Sequence, residues 1–262
     1  LDAVMEKQAA LITHWMRVGF IHGVMNSDNM ALSGETIDYG PCAFMDAYAA
    51  NTVFSSIDRN GRYSYANQPP IAGWNLARLA ETLLPLIHQD GDTAITMAEE
   101  KLKNFTELYR QKWLAMMREK LGLFGAQEGD EPLANDLLGW MEQNNADFTN
   151  TFRDLSQTEL PKNDLYQQKD FIAWYTRWQN RLAQNTEPLH ASRELMQATN
   201  PVLIPRNHNV EDALEAATHG NTTPCRDLLD ALKTPYTQQQ NQPPYQAPPT
   251  PEQRVYQTFC GT

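Results

Sequence analysis

His22 to Pro41 reads HGVMNSDNMALSGETIDYGP. Three side chains with oxygen donors crowd into it: Asp28, Asn29 and Asp38. Met30-Ala31-Leu32 and Glu35-Thr36-Ile37 flank Ser33-Gly34. Apolar residues on both sides of a Ser-Gly turn predict a short β-hairpin. Folding back there brings Asn29 and Asp38 side by side at the open end. An amide oxygen and a carboxylate so placed suit Mg²⁺ or Mn²⁺, which take hard oxygen ligands and keep positions open for substrate phosphates.

The arrangement resembles the catalytic loop and metal-binding segment of the protein-kinase-like fold. In that fold a loop opened by a histidine ends in a metal-binding Asn, and a hairpin leads to an Asp-Phe-Gly motif. Here Asn29 matches the first element and Asp38-Tyr39-Gly40 the second. One departure matters. The kinase base lies five residues before the Asn, and Val24 stands there. Valine accepts no proton, so ordinary phosphotransfer is not expected.

A more specific resemblance follows from the departure. His22-Gly23-Val24-Met25-Asn26, Ser27-Asp28-Asn29-Met30 and Asp38-Tyr39-Gly40-Pro41 are similar to the selenoprotein O (YdiU) family. So are Phe54-Ser55-Ser56-Ile57-Asp58, Gly61-Arg62-Tyr63, Asn67-Gln68-Pro69 and Trp74-Asn75-Leu76-Ala77-Arg78-Leu79. Asn200-Pro201, Arg206-Asn207 and Cys260 extend the likeness over nearly the whole chain. The resemblance implies a pseudokinase-like enzyme moving AMP from ATP to Ser, Thr or Tyr hydroxyls of proteins, with UTP as an alternative nucleotide. It implies Asp28 as proton acceptor, and Asn29 and Asp38 as metal ligands, Asp38 engaging the nucleotide through the metal. Two competitors stand beside it: a phosphotransferase using Asp28 as a displaced base, and a non-catalytic pseudokinase module that binds partners.

The expected fold is mainly α: the C-terminal lobe of a kinase-like fold with a small hairpin at the metal site. Residues 1–233 are assigned to that lobe and 234–262 to a Pro/Gln-rich tail. Leu1 opens inside a helical pattern, so the chain reads as a C-terminal fragment. The resemblance then implies an upstream lobe carrying the Lys and Arg that grip ATP. The fragment alone is expected to fold but to catalyse poorly.

At 262 residues and 41% hydrophobic, the chain can bury a real core. Its formal net charge is −11 and no Lys/Arg block occurs, which argues against a nucleic-acid partner. No apolar run approaches the length of a membrane span, and a cytoplasmic location is expected. Cys42, Cys225 and Cys260 form no zinc spacing, and free thiols in a reducing compartment are the plain reading. The resemblance adds a regulatory Cys42–Cys260 disulfide.

His22 reads either as a proton-transfer group or as a buried strut, and the strut is preferred. Asp28 reads as a proton acceptor or as a turn cap, and Asp38 as a ligand or as a turn residue. Helical spacing covers 1–19, ended by Gly19, and resumes from Ile71 with a break at Gln89–Asp92. Asp92 or Thr93 is expected to cap the helix after that break. Residues 42–70 read as an irregular, aromatic-rich segment in the place of a kinase activation loop. Gln127–Glu131 reads as a solvated acidic turn, and 234–251 as extended and poorly able to pack alone, with Phe259 and Cys260 in the closing Arg254–Thr262 as candidates to dock back on the body.

Overall fold

The computed structural model describes residues 1–238 and 244–259. The protein is mainly helical, with nine α-helices and one two-stranded sheet among the described residues. Helix α1 (Asp2–Val18) lies at the centre, packed against both α2 (Gln68–Ile87) and α3 (Gly91–Lys120). Its inward face is Met5, Ala9, Ile12, Trp15 and Met16, the period expected of an amphipathic helix. Gly19 ends it at φ 73°, donating its N–H back to Trp15, in the left-handed geometry a glycine adopts without strain.

Strands β1 (Phe20–Ile21) and β2 (Ala43–Phe44) pair antiparallel, Phe20 with Phe44 and Ile21 with Ala43. They form the base from which the whole 22–42 loop projects. Asn207 braces β2: its amide donates to the Phe44 carbonyl at 3.0 Å and accepts from the Phe44 N–H at 3.3 Å. Neighbouring Arg206 is 1% exposed and holds Asp46 and Asp147 together. Arg206 and Asn207 therefore fasten the segment that follows the loop.

Helix α3 is capped by Asp90, which accepts from the Thr93 N–H at 2.9 Å, so the cap lies before Asp92 rather than on it. At its other end Lys120 is buried, donating to the Arg17 carbonyl at 2.8 Å over the rings of Phe148 and Phe152. The last carbonyls of α1 thus gain a donor where the helix leaves them unpaired. Helices α4 (Asp130–Gln143), α5 (Phe148–Leu155) and α6 (Lys169–Leu182) complete the main core. Helices α7 (Leu189–Thr199), α8 (Asn207–Thr218) and α9 (Thr223–Leu232) follow, α8 and α9 packing as a pair.

One expectation is overturned and one helix is new. Gln127–Glu131 is not a solvated turn: Asp130 opens α4 with its carboxylate fully buried between Arg118 and Arg181, each at 2.6 Å. Helix α7 had no counterpart in the sequence reading. The tail also docks in part. Pro235 accepts from the Val202 N–H at 2.7 Å, and Tyr245 joins a small apolar cluster with Val202, Leu203 and Ala231. Extended residues pair with what they touch, and here two backbone N–H groups of 202–203 needed an acceptor. The aromatics of 42–70 do pack on the body: Tyr48, Phe54 and Tyr65 are buried, and Tyr65 donates to the Met16 carbonyl at 2.7 Å.

Candidate functional site

The predicted hairpin is reduced to one bridge and a turn. Met30 bridges Thr36 antiparallel, and the Gly34 N–H closes a turn onto the Ala31 carbonyl at 3.0 Å. Gly34 has φ 75°, and a Cβ there would stand 2.7 Å from Lys7 Cβ on α1. Only glycine fits that approach. Helix α1 then grips the hairpin twice more: Gln8 donates to the Ala31 carbonyl at 2.6 Å, and the Trp15 indole to the Thr36 hydroxyl at 2.8 Å.

Asp28 and Asn29 share a single 3₁₀ turn, Ser27–Asn29, entering the hairpin. Asp38 follows the other limb, in left-handed backbone at φ 54°. The Met30–Thr36 bridge therefore leaves all three residues at the same open end of the hairpin. Asp28 and Asp38 are exposed and Asn29 is half-buried.

His22 ties the two limbs. Its ring is fully buried, Nε2–H donates to the Ile37 carbonyl at 2.8 Å, and Nδ1 accepts from the Val24 N–H at 3.4 Å. Those partners assign the Nε2–H tautomer. Burial pushes the imidazole below its ordinary pKa, against the pull of the Ile37 hydrogen bond and the Asp38 charge. A neutral ring with both nitrogens spent on backbone is a strut, not a proton carrier.

Val24 has a job despite its inert side chain. Its carbonyl accepts from Asn29 Nδ2 at 3.0 Å, which leaves the amide oxygen of Asn29 as the free end. Helix α2 supplies the remaining struts. Gln68 accepts from the His22 N–H and donates to the Phe20 carbonyl, both at 3.0 Å, and Asn75 donates to the Met25 carbonyl at 3.0 Å. Gln68 and Asn75 stood in motifs of the sequence, but nothing local to them announces a partner 46 or 50 residues upstream.

The donor chemistry fits a hard divalent cation. Asn29 offers an oriented amide oxygen, and the Asp38 carboxylate makes no hydrogen bond or ion pair among the described residues. No group of three or more His, Cys, Asp or Glu is placed to hold a metal among those residues. Asn29 and Asp38 are the residues that could hold such an ion, which Mg²⁺ would complete with phosphates and water. Cys42 sits just beyond, its thiol donating to the Tyr39 carbonyl and pushed up by burial. The expected partner, Cys260, lies outside the described residues.

Between the hairpin, α1 and α2 lies a cavity of about 220 Å³, lined in part by Gln8, Ser27, Met30, Leu32, Asn75 and Arg78. No described helix is long and apolar enough to cross a membrane.

The chain is similar to known proteins along its whole length. The sequence model described as "Protein adenylyltransferase SelO" matches residues 1–233. A protein nucleotidyltransferase YdiU of Nitrosococcus oceani is 56% identical over 263 positions, which cover all of this chain and 53% of that protein. Relatives of the same name from Alcanivorax borkumensis and Clostridium botulinum are 54% and 53% identical, each with 54% of its length covered. The chain thus spans about half the length of the curated relatives it matches. With the loop geometry and a family match over 1–233, the chain belongs to the SelO family of protein adenylyltransferases.

Proposed function

We propose that this chain carries the catalytic loop of a metal-dependent protein adenylyltransferase that moves AMP from ATP to Ser, Thr or Tyr hydroxyls of proteins. The observation that carries the reading is the open end of the hairpin. Asp28, Asn29 and Asp38 stand there with free oxygens on a backbone pinned by His22, Gln8, Trp15 and Asn75. Rigid support of this kind is what catalysis by positioning requires. In the proposal the lobe is kinase-like and the enzyme acts in the cytoplasm.

The acceptor oxygen attacks the α-phosphorus of ATP. A new O–P bond forms, the bond to the β-phosphate oxygen breaks, and pyrophosphate leaves. Asp28, exposed beside Asn29, takes the hydroxyl proton. Asn29 and Asp38 would hold Mg²⁺ or Mn²⁺, which supplies charge neutralisation on the phosphates. His22 stays neutral and fixes the limb that ends in Asp38.

The test uses a protein of the relatives' full length that contains this chain. Incubated with ATP labelled at the α- or the γ-phosphate, it is expected to place only the α-label on protein. Asp38→Ala is expected to reduce that labelling by about a hundredfold or more. Transfer of the γ-label would instead select phosphotransfer with Asp28 as base. No turnover of either label would select a non-catalytic interaction module.

A further inference from the structure

Beside the loop lies a cationic platform that the transfer chemistry does not use. The Arg62 guanidinium stands 4.9 Å from the centre of the Trp74 ring, and that of Arg78 stands 5.2 Å from the same ring. Arg62 also lies 5.7 Å from the ring of Tyr63. All three residues of the Arg-Trp-Arg group are exposed, Trp74 at 43%. A guanidinium held against an indole keeps its charge and loses much of its freedom, so less ordering remains to be done on binding.

The two guanidiniums differ in their partners. Arg78 pairs with Glu81 at 2.6 Å, both half-exposed, and Arg62 makes no ion pair among the described residues. Yet the chain carries a formal net charge of −11. The Arg62 guanidinium, held on two rings, is thus left without a carboxylate of its own, although Asp58 lies under its backbone N–H.

Its place is also specific. The turn bearing Arg62 is built: Asp58 accepts from the N–H groups of Arg62 and Tyr63, each at 2.8 Å. Tyr63 donates to the Asn26 side chain at 2.6 Å, next to the Ser27–Asn29 turn. Arg78 and Ser27 line the same cavity. The platform thus adjoins the residues that lead into the Ser27–Asn29 turn.

We propose that Arg62, Trp74 and Arg78 form the docking surface for the acceptor protein, and that they select hydroxyls set among Asp and Glu. The idea rests on the adenylyl-transfer reading for its catalytic consequence, but not for binding. Arginine forks match carboxylates, and a surface of otherwise opposite charge repels acidic segments everywhere else.

Two fluorescent peptides, each with one Ser flanked by Asp/Glu or by Gly/Gln, test this on a protein of the relatives' full length that contains this chain. Anisotropy titration at low salt is expected to show the acidic peptide binding at least about fivefold more tightly. The Arg62→Gln/Arg78→Gln variant is expected to lose that margin, raising KM for the acidic peptide and leaving KM for ATP unchanged. Arg62→Glu/Arg78→Glu should invert the preference. Equal binding of both peptides by the wild type overturns the proposal, as does a preference that survives the double substitution. A rise in KM for ATP alone would assign the arginines to nucleotide phosphates and overturn it too. Acidic peptide that binds but receives no α-label would sink the transfer reading while the docking surface stands.

Discussion

The imidazole of His22 donates to the carbonyl of Ile37 at 2.8 Å, one residue before Asp38. A fully buried side chain at the start of the loop thus sets the backbone at its far end. His22→Leu keeps the apolar bulk but strands the Ile37 carbonyl and the Val24 N–H. Leaving a buried backbone group unpaired costs about 1–3 kcal/mol, and these partly exposed groups fall at or below the lower end. We expect a lower urea midpoint with unchanged m-value, and a loss of transfer larger than the stability change explains. Normal turnover in a folded His22→Leu protein would show that Asp38 does not depend on this tie.

The same histidine makes stability sensitive to acid. Burial holds its folded pKa below the ordinary value, so the unfolded chain takes up the proton first as pH falls. Its contribution is complete above about pH 6.5 and declines as pH drops below that, until the folded ring itself titrates. His14 and His208 are shifted down by burial as well and act in the same direction. Urea midpoints at about pH 7.5 and about pH 5.5 should therefore differ, and His22→Leu should narrow the gap. An unchanged gap would assign the acid sensitivity to the other two.

Gly34 tests the seating of the hairpin on α1. Alanine there meets Lys7 Cβ at 2.7 Å and the Lys7 carbonyl oxygen at 3.1 Å, at a φ that disfavours any Cβ. The helix backbone cannot give way cheaply. We expect Gly34→Ala to cost about 1–3 kcal/mol and to loosen the loop, seen as faster amide exchange at Gly34, whose N–H bonds Ala31. Wild-type exchange in the variant would mean the hairpin is set by its own turn alone.

These contacts show where sequence reading stops. The turn linking Met30 to Thr36 and the helices with broad apolar stripes were legible, because period and turn chemistry are local. Helix α7 was not, since its buried side chains are Ser192, Met196 and Thr199. It packs by close approach instead: a Cβ on Gly122 would lie 2.8 Å from the Ser192 carbonyl oxygen. Gln8, Gln68 and Asn75 were invisible as struts, because their partners are distant in the chain.

Asp130 failed for a related reason and yields a prediction. An acid in a glycine-containing acidic run reads as solvated, but Arg181 arrives from 51 residues away to bury it. Burial raises its pKa, yet hydrogen bonds from Arg181 and Arg118 outweigh that and the net shift is downward. The group stabilises the fold above the unfolded carboxylate range and loses that contribution as pH falls through its folded value. Asp130→Asn leaves the arginines facing a neutral amide and should cost about 3–5 kcal/mol. A change under 1 kcal/mol in thermal or urea unfolding would show that the arginines find other acceptors.

The tail is the last place where function and packing meet. Thr258 pairs with the 54–56 segment, its N–H donating to the Phe54 carbonyl at 2.7 Å and its carbonyl accepting from the Ser56 N–H at 3.0 Å. Its hydroxyl donates to the carbonyl of Pro41, at the end of the Asp38 limb. The family match ends at 233, so nothing in that match requires this contact. Thr258→Val keeps the backbone pairing and removes only the hydroxyl. At about 1 kcal/mol per hydrogen bond, it should lower stability slightly, while Thr258→Ser should restore it. Amide exchange at Ser56 is expected to stay slow in both variants. If Thr258→Val frees the Ser56 amide, the hydroxyl holds the tail in place, and Pro41 is an anchor for the tail rather than a beneficiary of it.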